Sequence, residues 1–100
     1  MLLYNITVGI DKDIEETWLD WIKENFLPRI MATGLFSDSK VYKILHDEGD
    51  GSISYSIQLF SERIQNVNYY LQAHAPDLIE EHRQKFLNQH VVFQTLLEEV

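Results

Sequence analysis

Apolar and polar positions alternate from residue 2 to residue 10. Tyr4, Ile6, Val8 and Ile10 fall on one side and Leu3, Asn5 and Thr7 on the other, and a period of two predicts a strand buried on one face. The period then changes. Asp13 stands three residues ahead of Glu16, the spacing of a capping box, and Ile14, Trp18, Trp21, Ile22, Phe26 and Ile30 follow at helical intervals. Asp13, Glu15 and Glu16 suit the positive end of that helix's dipole. Pro28 falls inside the pattern. A proline in a helix interior costs about 3 kcal/mol, so a kink or break is expected near Phe26, with Gly34 closing the segment.

Residues 40–46 read as a second strand and residues 47–51 (DEGDG) as a tight turn. Residues 52–60 carry the clearest alternation in the chain. Ile53, Tyr55, Ile57 and Leu59 face one way, and Ser54, Ser56 and Gln58 the other, so the two strands form a hairpin. Ser61 is the expected N-cap of a helix bearing Ile64, Val67, Leu71 and His74 on one stripe. Pro76 ends it or opens another helix, on which Leu78, His82 and Phe86 share a face. Residues 90–97 form the last strand. The order β-α-β-β-α-α-β predicts one α+β domain over residues 1–100 with the ferredoxin-like split βαβ topology. Its antiparallel sheet has strand order 4-1-3-2 and carries the helices on one face.

In this topology the first and third strands are central, and the face they turn from the helices shows Asn5, Thr7, Ser54, Ser56 and Gln58, with Gln94 joining from the last strand. A solvated sheet usually carries charge and an apolar core carries no amides. A neutral polar surface suits a wet interface or a lined cavity. We therefore expect a homodimer through this open face, the same residues being the candidates for ligand contact.

Composition narrows the field. Hydrophobic residues make up 45% of the chain and cysteine is absent, which excludes wholesale disorder, disulfides, thiol catalysis and cysteine-based zinc sites. A net charge of −8, with only 8 lysines and arginines and no basic cluster, makes nucleic acid and anionic membrane poor partners. The segment MLLYNITVGI is too short and too polar for a membrane span and lacks the features of a secretory signal, so a cytoplasmic protein is expected.

The segments YNITVGID (4–11), IEETWLDWIKENFLPRIMATGLF (14–36), YSIQLF (55–60), YLQAHAPDLIEEH (70–82) and FQTLLEEV (93–100) resemble an uncharacterised family of bacterial proteins of about this length, a domain of unknown function. That family looks like a member of the dimeric α+β barrel group, in which two ferredoxin-like sheets pack face to face. The resemblance implies no catalytic residues.

Candidate chemistry is sparse. His74 and His82 are eight residues apart with Pro76 between them, not the three or four that align two ligands on one helix face. His46 and His90 read as strand ends near water, and Asp47, Glu48 and Asp50 as a solvated turn rather than a calcium loop. No metal and no cofactor are expected. Trp18 and Trp21 read as core, with a ligand-stacking wall as the alternative. Together with His74 and Tyr70 they are the candidates for a pocket. Some dimeric α+β barrel enzymes are cofactor-free monooxygenases built on asparagine, tryptophan and histidine. Here Asn5 would lie across the sheet from Trp18, Trp21 and His74, so such a set would not converge in one subunit. The sequence points to a small-molecule or partner-binding module without catalysis, with that enzyme type as the alternative.

Overall fold

A computed structural model describes residues 1–45, 51–87 and 90–100, apart from the side chain of His90. The predicted turn bearing Asp47, Glu48 and Asp50, together with His46, lies outside the described residues. Strand β1 (Leu2–Asp11) leads through a single 3₁₀ turn into α1 (Glu15–Trp21), a π-helical stretch (Ile22–Phe26) and α2 (Leu27–Met31). Strands β2 (Asp38–Ile44) and β3 (Ser52–Ser61) follow, then α3 (Ile64–Ala73), α4 (Ala75–Lys85) and β4 (His90–Glu98). The four strands form one antiparallel sheet in the order β2-β3-β1-β4. This is the predicted 4-1-3-2 arrangement read from the other edge.

The alternation read along β1 and β3 holds. Tyr4, Ile6, Val8 and Ile10 are buried beneath the helices, as are Tyr55, Ile57 and Leu59. Asn5 lies opposite Gln58, and Thr7 opposite Ser56, on the other face. Trp18, Ile22 and Ile30 close the core from above, each with no exposed surface.

Four local expectations are corrected. The capping box at Asp13 does not form. The 3₁₀ turn intervenes, and neither it nor α1 receives a side-chain cap. Pro28 does not break the helical run, which continues from α1 through the π stretch into α2. The Leu27 N–H reaches back five residues to the Ile22 carbonyl, and this π register puts Pro28 in the first turn of α2, where a missing N–H costs little. Gly34 then takes the left-handed conformation expected of a residue closing the helix, with φ +73°.

Ser61 is not an N-cap. It remains in β3, paired with Leu2, and its hydroxyl both accepts from the Arg63 N–H and donates to the Arg63 carbonyl. Extended Arg63 immediately precedes the helix. The buried face of α3 is Val67 and Tyr70, whereas Ile64 and Leu71 are exposed. The Tyr70 ring decides this rotation by packing edge-on against Phe36 at 5.2 Å and Tyr4 at 6.3 Å between centroids.

Candidate functional site

Between α4 and the sheet lies a cavity of about 150 Å³. Ile6 and Val8 form part of its floor, Tyr4 and Tyr70 one side, and Ala75 and His82 of α4 its roof. Its exposed lining residues, Ile79, Arg83 and Gln94, belong to α4 and β4. The mouth therefore opens between those two elements.

Gln94 requires a correction. In β4 it pairs with Ile6, so it points to the helix side of the sheet and not to the open face. Thr95, opposite Asn5, takes the predicted place. With it come Val91, Phe93 and Leu97, all well exposed. The neutral polar centre, in which the Ser56 hydroxyl donates to the Asn5 carbonyl oxygen and the Asn5 amide to Thr7 at 2.9 Å, is thus flanked by an apolar row on β4.

His82 shares a face of α4 with Leu78 and Phe86. It is 6% exposed and lies among Trp18, Trp21, Phe26 and Phe86. The Trp18 indole N–H donates to its Nε2 at 2.9 Å. An indole nitrogen can only donate, so the bond holds the imidazole as the neutral Nδ1–H tautomer and occupies the lone pair that a general base at Nε2 would use. The signal was present in the sequence. Leu78, His82 and Phe86 recur every four residues, and all three are buried. A histidine inside such a stripe needs a polar partner, which Trp18 supplies across 64 residues of chain.

Tyr70 is 1% exposed. Among the described residues no hydrogen bond engages its hydroxyl, that of Tyr4, or the Gln94 amide, while every buried polar side-chain atom cut off from solvent has a partner. Burial first, and the neighbouring Tyr4 second, push the Tyr70 phenol well above its ordinary range. Burial also raises Tyr4. Both stay protonated at neutral pH.

At the mouth Arg83 makes two bonds to the Glu80 carboxylate, at 2.9 and 2.7 Å. Arg83, then Gln84, pulls that carboxyl down to about 2. Elsewhere Tyr55 stacks near Trp18, with centroids 5.1 Å apart, and donates to Glu15 at 2.6 Å. Lys43 contacts the same oxygen at 3.0 Å. The Tyr55 bond, then Lys43, holds Glu15 below the usual carboxylate range. Burial, followed by that carboxylate, pushes Tyr55 up to about 12.

Of the pocket candidates, Tyr70 lines the cavity, whereas Trp18 and Trp21 are core residues packed against His82 and do not line it. His74 stands apart at the α3–α4 junction. It stacks on Tyr70 at 6.5 Å and borders a separate space with Arg29, Thr33 and Asp77. Asn5 lies across the sheet from Trp18, so asparagine, tryptophan and histidine do not meet in one subunit.

A family model described as Domain of unknown function (DUF4286) matches residues 1–100. The chain belongs to this family. No curated protein sequence matches it. Among solved structures, an EthD-family protein from Bacillus halodurans superposes on this DUF4286 chain with a TM-score of 0.67 at 11% identity, covering 100% of each chain. A hydroxynitrile lyase from Passiflora edulis gives 0.57 at 14%, covering 99% of this chain and 95% of its own. A de novo designed protein with a ferredoxin fold gives 0.52 at 19%, covering 100% and 88%. At these identities the likeness establishes the fold the DUF4286 chain shares with them.

Proposed function

We propose that the protein is a homodimeric module that holds a small molecule without transforming it. The observation carrying this reading is the cavity between α4 and the sheet, apolar in its depth and edged by unengaged hydroxyl and amide groups. The lone pair of His82 Nε2 is committed to Trp18, which favours retention of a ligand over proton transfer at this nitrogen.

The open sheet face supports the dimer. Strands of about 9 residues at roughly 3.3 Å each, four abreast at roughly 4.8 Å, present about 30 × 19 Å. Two such faces bury about 1,100 Å² together, just under the standard range but above the roughly 1,000 Å² that a specific interface should clear. Phe93, Val91, Leu97 and Tyr42 supply apolar contact on the flanks of the face, and Asn5, Thr7, Ser54, Ser56 and Gln58 form its wet centre.

Native mass spectrometry of protein purified from its own cells tests both halves. The expected result is a species of twice 11.8 kDa with a small retained mass. A lone 11.8 kDa species at micromolar concentration removes the dimer. Protein that retains nothing and gains no thermal stability in benzene-saturated buffer removes the ligand site.

A further inference from the structure

The cavity specifies more than the presence of a ligand. Its volume, about 150 Å³, equals that of an engineered apolar cavity of about 150 Å³ that takes up benzene. The depth is apolar, made by Ile6, Val8, Ile22, Phe26 and Ile57. An occupant there is a single ring or an equally compact hydrocarbon body.

The polar features are few and neutral. Tyr70 is nine-tenths buried and more, lines the cavity, and makes no protein hydrogen bond among the described residues. Its hydroxyl is not cut off from solvent, so a ligand group that bonds to it replaces water there and gains about one net hydrogen bond. Gln94 adds an amide at the mouth. Arg83, the charged residue among the described lining, is already neutralised by Glu80 through two bonds. The chain as a whole carries −8. An anionic head would therefore enter without an uncommitted cation to receive it, and a cation would meet the apolar floor.

We infer that the cavity selects a neutral, phenol-sized molecule, an apolar body with one hydroxyl or carbonyl, whose polar group bonds to the Tyr70 hydroxyl. This rests on the binding reading given above and adds the chemical class of the ligand.

Isothermal titration calorimetry of the full chain with toluene, phenol and benzoate tests it, with phenol's site located by NMR shifts of Ile6, Val8 and Tyr70. Phenol is expected to bind about 2- to 10-fold tighter than toluene, the range of one net hydrogen bond, and benzoate more weakly than either. Tyr70→Phe should erase the difference between phenol and toluene while leaving toluene's affinity within about twofold. Should that variant unfold, Gln94→Leu at the exposed mouth keeps the comparison alive, because phenol's advantage should survive it in part. Equal binding of phenol and toluene overturns the assignment of the head group while the cavity stands. Tightest binding by benzoate overturns the neutral class. No binding of any of the three overturns the binding reading itself.

Discussion

Removing the acceptor of the Trp18–His82 bond tests whether the α1 and α4 segments are joined through it. His82→Leu keeps apolar volume among Trp21, Phe26 and Phe86 but strands the indole N–H of a tryptophan with no exposed surface. An unsatisfied buried donor costs about 1–3 kcal/mol. At about 4–8 °C per kcal/mol for a domain of this size, the melting temperature should fall by roughly 4–24 °C. Trp18→Phe alone strands the imidazole lone pair and opens space for part of a ring, costing about 2–4 kcal/mol in sum. In the double variant neither group is stranded, so the two losses should not add. The coupling should be about 1–2 kcal/mol. Urea unfolding followed by circular dichroism, at one fixed protein concentration because dimerisation would shift every midpoint, measures all four corners of the cycle. His82→Gln, whose amide oxygen can accept, should recover part of the loss. Additivity within about 0.5 kcal/mol would refute the reasoning.

The corrected face of α3 predicts unequal costs. Val67→Ala removes buried carbon worth about 0.8 kcal/mol per methylene and should lose about 1.5 kcal/mol or more in urea unfolding, whereas Leu71→Ala on the exposed side should stay within about 0.5 kcal/mol. Raised folded-state pKa values at Tyr4, Tyr55 and Tyr70 mean that their protonated phenols contribute stability below the ordinary tyrosine range near 10 and lose it as pH rises toward the folded-state values, about 12 for Tyr55. Absorbance of tyrosinate should therefore appear for these residues together with loss of circular dichroism; early titration of all three in the folded protein would contradict it. Phe93→Asp places charge on the apolar flank of the open face and should yield monomer in sedimentation velocity with an unchanged far-ultraviolet spectrum.

The legible parts of the fold were those where one physical signal acted alone. Along β1 and β3 the faces differ sharply, with Ile and Val against Asn, Thr and Ser, so period two leaves one register open. The start of α4 followed from Pro76 and its buried face from Leu78 and Phe86. Local rules failed where tertiary packing overrode them. A serine near a helix start looks like a cap, yet Ser61 is held in β3 by its pairing with Leu2. Ile64 and Leu71 match a helical stripe as well as Tyr70 does, but only the Tyr70 ring reaches Phe36 and Tyr4. The candidate site was partly visible. Of the candidates for a pocket, Tyr70 lines the cavity, and Trp18 and Trp21 are core as their helical spacing suggests, while the Trp18–His82 bond joins distant segments and has no local signature.

β4 shows most clearly why the cavity itself was hidden. Val91, Val92, Phe93, Leu96 and Leu97 place apolar residues at both odd and even positions, so alternation does not say which side faces the helices. A slip of one residue exchanges the faces completely, and placing Gln94 on the open face amounted to that slip. The pairing of Ile6 with Gln94 resolves it, and the double apolar character then has a physical reason. Val92 and Gln94 line the cavity on one side, while Val91, Phe93 and Leu97 stand exposed on the other. An edge strand apolar on both faces is an aggregation hazard unless both faces are used. One face meets the space beneath α4. The other is the flank on which the second copy proposed above would pack.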